Sequence, residues 1–350
     1  MSVNGFSVAS AAGRRGKHGR LRGALRWAGL VAYGTVFGVY VYREGVPLTR
    51  DRLLMWILVG LLAVSLTNVR GWIRGVVVEW LPFVVILSVY DLLRGQADTL
   101  LFSAHVRPQL RADEILSGGT VPTVWLQERL WHGPWGLRWY DYGAYLVYVS
   151  YFLATYLVAA MLWIFARDLF RRYVAMVSLL AVMGFATYAL FPAAPPWLAS
   201  EQGQLEPTTR SIGHISSHIP IGNFEGLFEK GTQYANPVAA VPSLHAAYTL
   251  LVTLILWGLA PRWGRVLLAV YPLVMAFALV YTAEHYLVDI LLGSVYTLIA
   301  FWTVNLVADR LEKRRGETSG RNVITRPLAA GRDAQGITLG GSATEGSGER

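Results

Sequence analysis

Apolar residues fall in long runs along this chain, separated by short polar stretches. A helix needs about 20 apolar residues to cross a bilayer. By hydropathy, eight runs of that kind cover roughly 24–42, 53–69, 72–93, 142–166, 172–192, 240–260, 264–283 and 285–307. The third is interrupted by Arg74, Glu79 and Pro82. The pattern predicts an all-α, polytopic membrane helix bundle with about eight transmembrane helices. Two longer connecting loops cover about 94–141 and 193–239. The first holds the stretch from Pro122 to Trp131 among several tryptophans, which suits either a helix lying in the membrane interface or an aromatic belt. Residues 1–20 and 316–350 have little to bury and are expected to be disordered. The chain therefore divides into a basic tail (1–23), membrane helices with an external loop (24–141), a membrane core (142–310) and a polar tail (311–350).

Composition agrees with a membrane protein. The 350 residues are 54% hydrophobic and only 15% charged, against about 25% charged in soluble domains. There is no cysteine, which excludes disulfides and thiolate metal sites. The basic N-terminal stretch resembles the start of a secretory signal. The apolar run after it is long, however, and lacks a clear small-residue cleavage site, so it reads as a retained anchor.

The net charge of +9 is mostly a topology signal. With the N-terminus in the cytoplasm, threading eight spans puts Arg70, Arg74, Arg167, Arg171, Arg172, Arg262 and Arg265 on the cytoplasmic side. The basic N-tail and the cluster Arg310, Lys313, Arg314 and Arg315 join them there. This follows the positive-inside rule and sets the expectation of a multi-pass plasma membrane protein with both termini cytoplasmic. Because the charges are dispersed at helix ends, no nucleic-acid partner is expected.

Three titratable residues stand at the starts of apolar runs. His245 lies in Pro242-Ser243-Leu244-His245-Ala246-Ala247-Tyr248. His285 and Asp289 lie in Glu284-His285-Tyr286-Leu287-Val288-Asp289 and, four residues apart, share one face of a helix. Such groups at membrane helix ends are costly and usually functional. The carboxylate can hold one ring nitrogen and leave the other free to attack. A second histidine can move the proton that a displacement requires. In the threading above, both histidines return to the non-cytoplasmic face. His214 and His218 have the spacing of a helical zinc pair, but Gly213, Ser216, Ser217 and Pro220 argue for a solvated loop and no third ligand is apparent. No metal or cofactor is expected.

Together with Phe191-Pro192-Ala193-Ala194-Pro195-Pro196-Trp197, these motifs resemble the type 2 phosphatidic acid phosphatase superfamily, in particular its inositol phosphorylceramide synthase-like branch. The resemblance covers about 140–307. It implies a six-helix phosphatase-type core and a covalent phosphoryl-enzyme mechanism. By similarity, His285 is the nucleophile, Asp289 orients it, and His245 protonates the leaving oxygen and then activates the acceptor. Ser243 and the amides opening its helix can donate to phosphate oxygens, and Tyr248 of the same motif is placed with the substrate-binding residues. Three positions depart from the superfamily pattern. The first motif has no Lys or Arg, the usual Arg six residues before the nucleophile is Leu279, and the usual Gly before the second-motif histidine is Leu244. A phosphate without cations is poorly stabilised in the transition state. Arg94, then Arg138, then Lys230 are the external candidates to supply one.

The sequence therefore points to a membrane enzyme that moves a phosphoryl or phospho-head group from an outer-leaflet lipid to an inositol- or sugar-like alcohol, or to water. A plain lipid phosphate or prenyl diphosphate phosphatase shares the same intermediate. A transporter would also have many spans, but its polar groups would sit near the midplane rather than cluster at one face.

Overall fold

The structure is a computed structural model that describes residues 6–45, 47, 50–94, 104–219 and 236–324. Among these residues it is helical, with no strand beyond two isolated bridges. The chain forms two compact units, Met1–Asn305 and Leu306–Arg350.

The long helices are α1 (Phe6–Glu44), α2 (Arg50–Val64), α7 (Trp139–Phe165), α8 (Arg167–Leu190), α11 (Leu244–Leu256), α12 (Arg262–Tyr281) and α13 (Leu287–Ile324). Between α2 and α7 lie α3 (Val69–Gly75), a π turn at Val76–Trp80, α4 (Leu81–Arg94), α5 (Arg107–Leu116) and α6 (Pro122–Leu130). Two short helices, α9 (Pro196–Glu201) and α10 (Ser211–Ser217), sit in the segment between α8 and α11. Among the described residues, six helical stretches are long and apolar enough to cross a membrane, and two shorter ones, 52–64 and 244–256, are also apolar. Together they occupy all eight expected positions, and the protein is a polytopic membrane helix bundle.

Large apolar side chains on both sides of the long helices fit this architecture, as α12 shows. On α12, Met275, Ala278 and Leu279 are fully buried, while Trp263, Val266, Leu267 and Leu273 are exposed. A surface this apolar suits lipid rather than water. Inward-facing residues of α4, α7, α8 and α11 form the main core around Trp80, Phe83, Leu162, Phe170, Tyr173, Met176, Leu180 and Leu251.

Glu79, the charge that interrupts the third span, is compensated at the turn between α7 and α8. Its carboxylate accepts from Trp163 Nε1 at 2.9 Å, from Arg171 at 3.1 Å and from Arg167. A half-buried acid within an apolar stretch is tolerated because three side chains donate to it. This network lies near the C-terminal end of α7, where Trp163 is 12 residues, about 18 Å along the helix, from Tyr151, which touches His245.

Several local expectations are corrected. The helix expected over 240–260 begins only at Leu244. Pro237 and Pro242 cannot donate backbone hydrogen bonds, and the entry segment pairs instead through Ala240 N–H to the Ala193 carbonyl at 3.2 Å. Helix α1 begins at Phe6 and α13 runs on to Ile324, both inside tails expected to be disordered. The stretch from Pro122 to Leu130, within the long loop before α7, is helical. Both α5 and α6 turn buried polar residues inward, Gln109 and Asp113 from one, Thr123 and Gln127 from the other. His214 lies on a helix after all, α10, and His218 caps it.

Candidate active site

Helices α11 and α13 start side by side and carry the two histidines. Ser243 is the N-cap of α11, and its hydroxyl accepts from Ala246 N–H at 3.4 Å. Its own N–H donates to the carbonyl of Asp289 on α13 at 3.0 Å. Lower down, Thr297 donates to the Ala247 carbonyl at 2.9 Å. The close approach depends on Gly293, where a Cβ would meet the Ser243 carbonyl oxygen at 2.3 Å. These contacts bring the His245 and His285 rings to a centroid separation of 5.6 Å, tilted by 59°.

Each ring is held from behind. His245 stacks on Tyr148 at 4.9 Å and touches Tyr151 at 4.1 Å, both on α7. His285 Nδ1 lies 3.4 Å from Asp289 Oδ2. This contact is longer than the usual hydrogen bond. Asp289 is fully buried, and the same oxygen accepts from Tyr286 N–H at 2.9 Å. The carboxylate thus faces the Nδ1 side of the ring.

The link into α13 is shaped by Ala283, which takes a left-handed φ of 62°. That conformation is uncommon for a residue with a Cβ. It ends α12 by sending the N–H groups of Glu284 and His285 back to the Leu279 carbonyl, at 3.0 and 3.2 Å. The first turn of α13 is then capped from far away in sequence. Asp113 of α5 accepts from Leu287 N–H at 2.9 Å and from Val288 N–H at 2.8 Å. An anion at a helix N-terminus satisfies orphan donors and complements the helix dipole.

Arg210, which carries no motif, is a basic side chain tied to the His285 motif. It binds Glu284 in a fork, Nε to Oε1 at 2.7 Å and Nη2 to Oε2 at 3.2 Å. Its guanidinium also lies 4.7 Å above the Trp197 ring. Burial lowers its pKa, but the charge and hydrogen bonds of Glu284, with Tyr148 and Glu201, together outweigh this and raise it, so it stays protonated. Gln127 of α6 fixes the preceding residue. Its Oε1 accepts from Thr209 N–H at 2.7 Å, while Nε2 donates to the carbonyls of Thr209 and Tyr281, each at 2.8 Å.

The other sequence candidates lie as follows. Ser243 caps α11 beside the histidines. Tyr248 is buried one turn below His245, stacks on Tyr151 at 5.7 Å and donates to the Val177 carbonyl at 3.4 Å. It forms part of the aromatic wall rather than of an open cleft. Arg138 is exposed at the N-cap of α7, where its N–H donates to Asp141 at 2.6 Å. The side chain of Arg94 and the whole of Lys230 lie outside the described residues. His218 Nδ1 engages the His214 carbonyl at 2.8 Å, and the two rings pack on Trp135 and Trp131 respectively. Among the described residues, no group of three His, Asp or Glu is arranged to hold a metal ion.

The departures from the family pattern are accommodated structurally. Leu279, at the usual arginine position, is fully buried beside Tyr145, Met275 and Ile290. Leu244 packs onto Gly184 of α8, where a Cβ would meet its Cδ1 at 3.0 Å. The first motif supplies Trp197 under Arg210 instead of a cation of its own. A buried acid beside a candidate nucleophile needs a partner, and Glu284 was the one signal in the sequence that pointed to Arg210.

Comparison with known proteins places this geometry. Residues 119–303 match the family described as the PAP2 superfamily. The phosphoinositol dihydroceramide synthase of Bacteroides thetaiotaomicron is 31% identical over 144 residues, 39% of this chain and 45% of that protein. The inositol phosphorylceramide synthase catalytic subunit aur1 of Schizosaccharomyces pombe is 30% identical over 177 residues, 47% of this chain and 39% of its own. The inositol phosphorylceramide synthase of Candida albicans is 28% identical over 170 residues, with coverages of 47% and 35%. The chain spans less than half the length of these curated relatives. No solved structure matches it.

Proposed function

The chain belongs to the PAP2 superfamily, and we propose that it is a lipid phosphotransferase that works through a phosphohistidine. The observation that carries this reading is the 5.6 Å pairing of His245 with His285, the latter backed by Asp289. In the first step the free ring nitrogen of His285 attacks phosphorus. The bond from phosphorus to the leaving alcohol breaks, and that oxygen takes a proton from the His245 imidazolium. In the second step neutral His245 removes the proton of an acceptor hydroxyl. The acceptor oxygen attacks phosphorus, the phosphorus–nitrogen bond breaks, and His285 is regenerated. Asp289 stabilises the charge on the His285 ring between the two steps.

The named products of the relatives contain inositol, phosphate and a ceramide-type lipid. This supports transfer of a phosphoinositol-like head group between lipid alcohols, with a polyol or water as other acceptors. The substrate head group is read as entering from the outer leaflet, because the positive-inside pattern puts the histidines on the non-cytoplasmic face of the plasma membrane with both termini cytoplasmic.

Purified protein in lipid micelles, incubated with a head-group-labelled inositol phospholipid, tests the reading. Separate reactions receive a ceramide, a free polyol or no added acceptor. Label in a new phosphodiester identifies transfer, and water-soluble label alone identifies hydrolysis. Turnover by His285→Ala equal to that of the wild type would refute the mechanism.

A further inference from the structure

We propose that Arg210 is the phosphate-binding cation of this site and that Glu284 tunes its strength. The inference rests on the phosphotransferase reading and adds a residue to it. A phosphate between the histidines needs positive charge close by, since that is where negative charge concentrates in the transition state. Neither family position that would provide it can do so: Leu279 is sealed in the core and the first motif has no basic residue.

Arg210 is tied to the His285 motif by geometry: its guanidinium is forked onto Glu284, the residue before His285, at 2.7 and 3.2 Å. Trp197 forms its floor and Gln127 anchors its backbone neighbour Thr209, so the guanidinium is positioned in advance. An arginine presents its N–H donors in a planar fork. The fork suits phosphate oxygens as it suits a carboxylate. Pairing with Glu284 keeps the cation from binding phosphate so tightly that product release slows. The first motif, which has lost its own cations, here builds the aromatic platform for one delivered by the loop before α11.

The test reads binding directly and does not require turnover. Inorganic phosphate is titrated by calorimetry into the detergent-solubilised protein. Arg210→Gln should weaken phosphate binding by about tenfold or more, the scale of a charged hydrogen bond. Glu284→Gln keeps a hydrogen-bonding partner but frees the positive charge, and it should tighten binding. A pair that only held the loop in place would give losses of the same sign in both variants. If Arg210→Gln does not fold, Glu284→Gln carries the test alone, since tighter binding supports the inference and unchanged or weaker binding overturns it. Failure of the wild type to bind phosphate also overturns it. Loss of head-group transfer with phosphate binding intact would instead count against the phosphotransferase reading. In the turnover assay, guanidinium ion at a non-denaturing concentration should partly restore Arg210→Gln, which no purely structural role predicts.

Discussion

Gln127 holds Thr209 by both of its backbone hydrogen-bonding groups, across 82 residues of chain. One amide side chain thereby ties the loop before α11 to α6, and its third bond, to the Tyr281 carbonyl, ties both to the end of α12. The segment that carries Arg210 is fixed to the same frame as His285.

Gln127→Ala removes these three bonds and strands buried backbone groups. Each such loss costs about 1–3 kcal/mol. Thermal unfolding in micelles should show a clear fall in Tm, with head-group transfer reduced more than the remaining folded fraction explains. An unchanged Tm would mean that the loop is held by other contacts.

The three residues of the proposed mechanism should separate in assay. His285→Ala and His245→Ala should abolish turnover with circular dichroism unchanged. Asp289→Asn should keep weak activity, reduced by about 10⁴-fold, because the ring is misoriented rather than deleted. Acid-labile phosphate should accumulate on the wild type and be absent from His285→Ala.

Gly293→Ala tests the packing that brings the histidines together. The added methyl meets the Ser243 carbonyl oxygen at 2.3 Å, so α11 and α13 must separate. Overpacking of this kind costs about 1–3 kcal/mol. A displacement of about 1 Å at a reacting centre can lower the rate by about 10²-fold. Full activity in this variant would show that the two helix starts can slide without harm.

Asp113 gives a pH signature. Burial pushes its carboxyl from 3.8 up to about 6, with the Leu287 and Val288 N–H donors pulling the other way and the Asp289 charge adding to the rise. A raised carboxyl pKa means that the folded state holds the proton more tightly than the unfolded chain. The contribution of Asp113 to stability is therefore fully present below 3.8 and is lost as pH rises through 6. Comparing Tm of wild type with Asp113→Asn across this interval should show the wild type losing ground as pH rises, then a constant difference at neutral pH. A difference independent of pH throughout would refute the assignment.

Chelation should leave the enzyme active. Dialysis against EDTA is expected to leave turnover unchanged, because the proposed steps use only His285, His245 and Asp289. Loss of turnover restored by zinc would return attention to His214 and His218.

The sequence by itself determined the membrane class, the eight apolar runs and the three titratable residues. Hydropathy is a property of local runs, and a His and an Asp four residues apart on a helix share a face whatever surrounds them. The tertiary structure decided how the site is supported. Asp113 meets Leu287 across 174 residues, and Arg210 meets Glu284 across 74. Such contacts leave no periodic trace, because hydrogen bonds between distant loops depend on where packed helices end. For the same reason, reading basic residues along the chain named Arg94, Arg138 and Lys230, whereas Arg210 is proposed from its contacts with Glu284 and Trp197. Burial also turned Leu244 and Leu279 from missing motif residues into packing residues, a role that only their neighbours in space reveal.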